Sequence, residues 1–431
     1  MLSLAIFIVL LLLGLPVAFA MIAGAVAQIL LAGNGVLLLS LPQQFFQGME
    51  NYGLLALPVF IFLGELLNAS GAAARLYALA SLLTRGLRGG LAQASLIANA
   101  LLAAVLGSTA AQITLMSRLA VPQMERAGYP RDVATGLTAA GALLAPIIPP
   151  SMLLIVYGVI AQVPVGDLFL AGIAPGVLLA AVFALVIDRM ARRGAFPTPQ
   201  VAAAPAPSAA RAGFREALLE ALPAIVIPAG MIAAIMLGFA TPVEAGVAAI
   251  ALTLMVGAAL YRTLTFGRIW QALLVSAKMS GAILFLIAAA SLYAWIIAFE
   301  NLPALVAHFL WTLSDNPLVF LLLVNLLLLG LGMICDPLPA LILTVPVLLP
   351  VAVDHYHIDA IHFGLVACFN LTIGLMTPPV GVGLYTAALQ NNLPTAALIR
   401  VLRPFLAAAL AVLALLTLWP RFALAIPSFF Q

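Results

Sequence analysis

The chain has 431 residues, of which 65% are hydrophobic and 7% charged, and its mean hydropathy is +1.23. A soluble globular domain carries about 25% charged residues, so this composition excludes a soluble fold and indicates a polytopic helical membrane protein. The net charge of +3 provides no basic surface for nucleic acid. The two cysteines, Cys335 and Cys368, match no zinc or redox spacing and are expected to be free thiols.

The N-terminal apolar stretch is predicted to be a retained membrane span. Leu2–Ala20 ends in a cleavage-like pattern, but no basic residue precedes it and a second apolar run, 21–39, follows at once. Gly14–Pro16 is predicted to kink this span near its end. Leu41–Tyr52 is amphipathic and predicted to be interfacial, and Leu54–Ala69 is the third span. Glu65 in that span is costly in lipid, about 2.5–3.5 kcal/mol at a helix centre. It is either a polar anchor facing a mobile core or a residue near the interface.

Two interruptions follow in the first half. The run 91–124 has a small polar tip at Leu106–Thr109 between arms too short to cross comfortably, so we predict a re-entrant helical hairpin. The run 132–163 would rise about 45 Å as one helix, against a hydrocarbon core of about 30 Å. Because Pro146, Pro149 and Pro150 interrupt it, we predict two half-helices joined by unwound backbone.

The second half repeats this plan. A span at 168–187 completes the first repeat, 1–193, and a Pro/Ala-rich linker, 194–215, leads into the second repeat, 216–431. The second repeat contains further spans, a hairpin at 318–353 with a tip around Gly332–Pro337, a broken helix at 363–388 interrupted at Gly374–Gly383, and a last span at 398–418.

The two halves agree in register. Pro150 and Pro378 are 228 positions apart, as are Pro122 and Pro350, and Asn99 and Asn325 are 226 apart. Interrupted segments at corresponding positions of two halves indicate the binding site of a transporter. The alternative is a pair of proline kinks that only shape the packing.

Arginine clusters predict the orientation. They lie at Arg75–Arg88, Arg126–Arg131, Arg189–Arg215, Arg262–Arg268 and Arg400–Arg403. If these segments are cytoplasmic, both termini are periplasmic and the two hairpins enter from opposite sides. The predicted fold class is therefore an all-α polytopic membrane protein with an inverted repeat, two re-entrant hairpins and two broken helices.

The interruptions also predict the chemistry. Half-helix N-termini favour anions, and unwound carbonyls with hydroxyl groups suit a hard monovalent cation such as sodium. The first cation-site candidates are Gly107, Ser108, Thr109, Pro149 and Ser151; the second are Gly332, Asp336, Thr377, Pro378 and Gly381. The substrate-binding candidates are Ser108, Thr109, Pro150, Thr377 and Gly383. Asp336 could balance a sodium ion, or could only cap a helix. Metal binding by His355, His357 and His362 is weakly indicated.

Six stretches carry a family resemblance: 57–68, 145–159, 168–176, 240–246, 316–351 and 362–385. They resemble the large membrane subunit of tripartite ATP-independent periplasmic (TRAP) transporters, the DctM-like family, over nearly the whole chain. The match places Asp336 and Thr377–Pro379 in the sodium-site region of that family. Glu244 matches the glutamate of its TP-x-E-A motif and is expected to be a structural polar residue, like Glu65.

The resemblance implies a sodium-driven elevator transporter of the bacterial inner membrane, with no cofactor other than the coupling ion. It also implies a small four-helix membrane subunit, a periplasmic binding protein and a carboxylate substrate such as a dicarboxylate or sialic acid. A single-component sodium- or proton-coupled carboxylate symporter or exporter is the alternative. No motif of an intramembrane enzyme is present in the sequence, so no catalytic residues are expected.

The first tip departs from the family pattern, which usually reads Ser-Gly-Ser-x-x-Ala-Asp. Here Leu106 replaces the first serine and Gln112 the acidic residue, while Arg118 follows where a small residue is usual. The number of sodium ions and the identity of the acid therefore stay open. Arg118 either pairs with a substrate carboxylate or extends to the cytoplasmic face.

Overall fold

The computed structural model describes residues 2–196 and 214–430, and this part of the chain is helical without strands. Of the predicted linker, residues 197–213 lie outside the described range. The helices of the first half are α1 Leu2–Leu12, α2 Val17–Leu31, α3 Leu41–Gln47, α4 Ala56–Ala69, α5 Ala72–Leu83, α6 Gly90–Leu106, α7 Thr109–Leu119, α8 Val121–Arg126, α9 Arg131–Gly141, α10 Met152–Ala161 and α11 Val165–Arg192.

The second half continues with the same kinds of element. Its helices are α12 Phe214–Met236, α13 Pro242–Met255, α14 Phe266–Phe299, α15 Leu302–Leu313, α16 Pro317–Ile334, α17 Pro337–Pro350, α18 Ala360–Leu375, α19 Val382–Gln390, α20 Thr395–Leu418, α21 Pro420–Leu424 and α22 Pro427–Phe430. Within the described residues, eight helices are long and apolar enough to cross a membrane. The protein is therefore a multi-pass helical membrane protein.

The 228-residue register extends over whole elements. Helices α6, α7, α9, α10 and α11 correspond to α16, α17, α18, α19 and α20. The two tips, at residues 107–108 and 335–336, and the two breaks, at 142–151 and 376–381, therefore fall at equivalent places. The halves differ where α3 and α4 are separate helices, because their counterpart is the single helix α14.

The halves interlock by exchanging partners. The first arm of each hairpin packs on the broken helix of its own half, α6 on α9 and α16 on α18. The second arms cross over, so that α7 packs on α19 and α17 packs on α10. Helices α2, α4, α13 and α14 pack together beside this unit, and α12 packs mainly on α5 and α13.

The N-terminal span differs from its prediction. The sequence predicted one span over Leu2–Ala20 with a kink at Gly14–Pro16, whereas in the structure the chain turns there, since α1 ends at Leu12 and α2 begins at Val17. Gly14 has a φ of +87°, which favours glycine, and Pro16 occupies the N-cap position of α2. The two helices then pack side by side, since a Cβ atom on Gly24 would lie 3.3 Å from the Ser3 carbonyl oxygen.

The second hairpin packs on its broken helix backbone to backbone. A Cβ atom added to Gly374 would lie 2.7 Å from the Cα atom of Gly332 and 3.1 Å from the carbonyl oxygen of Leu329. The nearest atoms all belong to the backbone of α16, so no side chain could move aside to make room for the added Cβ atom. The two glycines therefore permit the close approach of α16 and α18.

We predict that Gly374→Ala lowers stability by about 1–3 kcal/mol, the usual cost of overpacking. The measurement is the thermal unfolding midpoint of the purified protein in detergent. Gly330→Ala is the matched control, because a Cβ atom at Gly330 on α16 meets no atom within 4 Å. Equal midpoints for the two variants would contradict the backbone contact.

Candidate functional site

The first tip touches the first break. Gly107 has a φ of +56°, and a Cβ atom there would lie 3.1 Å from the carbonyl oxygen of Pro150 and 3.3 Å from the amide nitrogen of Met152. The tip thus brings Gly107 against the backbone around Pro149, Pro150 and Ser151, as a shared site requires. Close approach of two backbones explains why glycine occupies this position.

Ser151 joins the two ends of the first break. Its side chain is fully buried, its hydroxyl donates to the Pro146 carbonyl oxygen at 2.6 Å, and it accepts a hydrogen bond from the Leu154 N–H at 3.3 Å. The side chain therefore caps the N-terminus of α10 and satisfies a carbonyl that the prolines leave without a helical partner.

The second tip and the second break are joined by a hydrogen bond. The Gly381 N–H donates to the Met333 carbonyl oxygen at 2.8 Å, and Gly381 has a φ of +55°. Thr377 is half-buried, and its hydroxyl donates to the Ile373 carbonyl oxygen at 2.7 Å. Gly332 lies against Leu371 and Gly374 of α18, shortly before the second break. Each of the two breaks contains one cis Pro-Pro bond, at Pro149–Pro150 and at Pro378–Pro379.

Asp336 caps the second arm of the second hairpin. Its Oδ1 atom accepts from the Leu338 N–H at 3.2 Å, at the N-terminus of α17. Its side chain is nevertheless exposed at the surface of the described structure. The carboxylate can therefore cap the helix and also contact an ion, since a carboxylate has about four lone-pair sites.

A pair of amide clamps holds the first arms of the hairpins. The Gln112 Nε2 atom donates to the carbonyl oxygen and the Oδ1 atom of Asn99, both at 2.7 Å. The Asn370 Nδ2 atom makes the same pair of bonds to Asn325, at 2.9 Å and 2.7 Å. The sequence predicted no site role for these amides. Polar amides inside apolar helices are the signal that could have identified them, because such groups must be paired.

Three buried oxygens beside these clamps accept no hydrogen bond from any described residue. They are the Thr109 Oγ1 atom, the Gln112 Oε1 atom and the Asn370 Oδ1 atom. The first two lie on the first turn of α7, and the third lies on α18 shortly before the second break. Unpartnered oxygens buried among apolar helices are costly, so they are suited to contact a cation or a polar ligand.

Two neighbouring helices begin at the site without side-chain caps. The N-cap residues Ser108 of α7 and Gly381 of α19 make no side-chain capping bond. The two helices pack together, and near their far ends the Asn391 Nδ2 atom donates to the Ser117 Oγ atom at 3.0 Å. The helices thus run parallel, and their N-termini lie together. By contrast, α10 and α17 also pack together but are capped by Ser151 and Asp336.

The other predicted polar residues lie away from the tips. Arg118 is exposed on the last turn of α7, nine residues or about 13 Å along the helix from Thr109. Glu244 forms a capping box with Thr241, whose N–H donates to the Glu244 Oε2 atom at 2.8 Å. Glu65 is half-buried on α4. It follows Gly64, where an added Cβ atom would lie 2.7 Å from the Val105 carbonyl oxygen near the first tip.

The three histidines do not form a common site. His362 is buried and its Nε2 atom lies 2.8 Å from the Leu416 carbonyl oxygen, whereas His355 and His357 are exposed. Among the residues that the structure describes, no group of three or more His, Cys, Asp or Glu side chains is arranged to hold a metal ion.

The sequence matches the DctM component of tripartite ATP-independent periplasmic transporters over residues 4–422. The chain belongs to this family. It is a TRAP transporter large permease subunit and not an enzyme. It is 35% identical to the sialic acid TRAP transporter large permease protein SiaM of Vibrio cholerae, covering 97% of this chain and 96% of SiaM.

Two further comparisons agree with this. The chain is 33% identical to the C4-dicarboxylate TRAP transporter large permease protein DctM of Pseudomonas aeruginosa, covering 94% of this chain and 93% of that protein. The crystal structure of the Alcanivorax borkumensis YdaH transporter has a similar fold, with a TM-score of 0.63 at 16% identity over 91% of this chain and 89% of that chain. The structural neighbour supports the transporter fold alone.

We predict that Asn370→Leu destabilises the permease by about 2–4 kcal/mol, because both oxygens of Asn325 lose their buried donor. The thermal unfolding midpoint in detergent measures this loss. Gln112→Leu is expected to act in the same direction through Asn99. Gln390→Leu is the control, since Gln390 is exposed at the end of α19. If the thermal unfolding midpoint of Asn370→Leu equalled that of the control, the hydrogen bonds between Asn370 and Asn325 would contribute no net stability.

Proposed function

We propose that this permease imports a small organic acid with sodium as the coupling ion, by an elevator movement of the interlocked hairpins and broken helices. The observation that carries the proposal is the contrast between the two helix pairs at the breaks. The α7/α19 pair presents uncapped N-termini, whereas the α10/α17 pair begins at a serine and a carboxylate.

The uncapped pair is suited to the substrate. Each free helix N-terminus carries N–H groups and a positive dipole end, which stabilise an anion. Ser108, Thr109, Thr377 and Gly383 lie at this end of α7 and α19, and Pro150 lies against the adjoining tip. A carboxylate is the group that this arrangement favours. The names of the relatives point to C4-dicarboxylates or sialic acid, and we propose an acid of this range.

The cation sites use the remaining oxygens. At the second site Asp336 supplies negative charge, with Gly332, Thr377, Pro378 and Gly381 supplying backbone or hydroxyl oxygens around it. At the first site the acidic residue is replaced, but the unpartnered oxygens of Thr109 and Gln112 are buried beside Gly107 and Ser108. Ser151 uses its hydroxyl within the break, so its contribution there is structural.

The remaining assignments follow from the family and from charge. We propose that the hairpins are re-entrant, that both termini are periplasmic, and that the helices around α2, α4, α13 and α14 form the stationary scaffold. The transporter would work in the bacterial inner membrane with a small four-helix membrane subunit and a periplasmic binding protein that delivers the acid. The proposed orientation places the arginine-rich segments on the cytoplasmic side, as the excess of Lys and Arg in cytoplasmic loops predicts.

The test is uptake in proteoliposomes that contain this chain and its small subunit, with candidate acids, the binding protein and an imposed sodium gradient. We expect uptake to require both sodium and the binding protein. Uptake with sodium alone would favour a single-component symporter. Uptake that is indifferent to sodium would overturn the assignment of Asp336 and the Thr377 region as cation ligands.

We predict that Asp336→Asn lowers sodium-driven uptake and raises the half-saturating sodium concentration about tenfold, which corresponds to about 1.4 kcal/mol of lost cation binding. The asparagine can still accept the capping bond of α17, so the helix is preserved. Asp354→Asn is the matched control, because Asp354 is an exposed carboxylate beyond the end of α17. An unchanged sodium dependence in Asp336→Asn would reject the cation role.

We predict that Arg118→Gln leaves the half-saturating substrate concentration within about twofold of the parent value. The side chain is exposed and placed at the C-terminal end of α7, where a positive charge complements the helix dipole. The measurement is the substrate dependence of uptake at saturating sodium. A loss of affinity of about tenfold, or 1.4 kcal/mol, would instead show that Arg118 pairs with the substrate.

A further inference from the structure

A narrow apolar groove separates α12 from the first break. Its volume is about 240 Å³, and it is lined by Ala100 and Ala104 of α6, Pro149 of the break, Val177 of α11, and Pro228 and Ala229 of α12. Pro223 and Pro228 interrupt the hydrogen bonds inside α12, so this helix cannot pack as a regular rod against α6 and α11. The groove thus lies between α12, which packs mainly on α5 and α13, and the unit that carries the first tip.

The groove leads towards a basic end of the molecule. A Cβ atom on Gly89 would lie 3.3 Å from the Ala191 Cβ atom, so the start of α6 meets the end of α11. The Gln93 Nε2 atom also donates to the Ala184 carbonyl oxygen at 2.9 Å. Four arginines lie where α5 ends, α6 begins and α11 ends, and a fifth lies on the first turn of α12. All five are exposed and without a salt bridge to any described residue: Arg85, Arg88, Arg189, Arg193 and Arg215.

The depth of the groove matches one leaflet of a bilayer. Ala224, at its lower end, is nine residues above Arg215 on α12, or about 13 Å along the helix. Val177 is twelve residues from Arg189 on α11, or about 18 Å. Half of the hydrocarbon core is about 15 Å thick. A headgroup at the arginines therefore places the end of its acyl chain in the groove.

We propose that this groove and the arginines below it bind an anionic phospholipid, with the phosphate at the arginines and the end of one acyl chain between α12, α6 and the first break. The basic end selects an anionic headgroup over a zwitterionic one. On the elevator movement proposed above, a lipid in this position would lie between α12 and the mobile unit that carries the first tip.

The test uses two photoreactive lipids with the same acyl chain, which carries a diazirine near its end. One is a phosphatidylglycerol and the other a phosphatidylcholine, each added in small amount to phosphatidylcholine vesicles containing the transporter. After irradiation, mass spectrometry maps the labelled peptides. We expect phosphatidylglycerol to label α6, α11 and α12 at least about fivefold more than phosphatidylcholine does, since about fivefold is the preference that one basic residue near an anionic lipid would give.

Two variants separate the groove from the charges. Ala229→Phe fills the groove and is expected to abolish this labelling, whereas Val226→Phe, on the same helix but outside the groove lining, retains it. The double substitution Arg88→Gln with Arg189→Gln is expected to lower phosphatidylglycerol labelling towards the phosphatidylcholine level, because it removes two of the basic charges while the others remain. Arg400→Gln with Arg403→Gln is the matched charge control. Unchanged thermal unfolding midpoints confirm that the variants are folded.

Three results would overturn the proposal. Equal labelling by the two lipids would mean that the arginines select no headgroup. Labelling that Ala229→Phe leaves unchanged would place the lipid outside the groove. Loss of labelling when the small membrane subunit is present would show that the partner, and not a lipid, covers this surface. None of these outcomes depends on which acid is transported.

Discussion

The structure depends on one constraint, which is that backbone groups surrounded by apolar side chains must find partners. Each break frees carbonyl and N–H groups that no helix satisfies. In the first half the Ser151 hydroxyl donates a hydrogen bond to the Pro146 carbonyl oxygen. In the second half the Gly381 N–H donates to the Met333 carbonyl oxygen. In the second half the bond therefore holds the hairpin tip against the break. In the first half the break is closed within itself, and the tip packs on it through Gly107.

The amide clamps show how one repeat was adapted in two ways. Both halves place an asparagine on the first arm of the hairpin and bind it through a side-chain amide. In the first half Gln112 comes from the second arm of the same hairpin, so the clamp closes the hairpin on itself. In the second half Asn370 comes from the broken helix, and Asn325 also donates to the Thr417 hydroxyl of α20 at 2.9 Å. The first hairpin is thus tied internally, and the second is tied to its neighbours.

The sequence was informative where covalent geometry and hydropathy decide the structure. Proline positions predicted both breaks, and the small polar residues Gly107–Thr109 predicted the first tip, because these features act locally. The second tip followed from its correspondence with the first half. The prediction of one kinked span at the N-terminus was wrong, because a turn between two helices and a kink within one helix can both be formed by glycine and proline. The clamps involving Asn99 and Asn370 were missed because a hydrogen-bond partner on another helix is a tertiary property. Gln112 looked like the loss of a charged residue, and only the packing revealed its two bonds to Asn99.

The exchange of partners between the halves has a chemical consequence that neither half could produce alone. Each crossed pair joins a hairpin arm of one repeat to a half-helix of the other, so the character of each pair depends on residues far apart in the chain. Ser108 and Gly381 leave one pair uncapped, whereas Ser151 and Asp336 cap the other. An inverted repeat with equivalent backbones can in this way present one end suited to an anion and one end suited to a cation. In the proposed symport both pairs would move as one unit, and a unit loaded with only one of the two charges would be costly to carry through apolar surroundings.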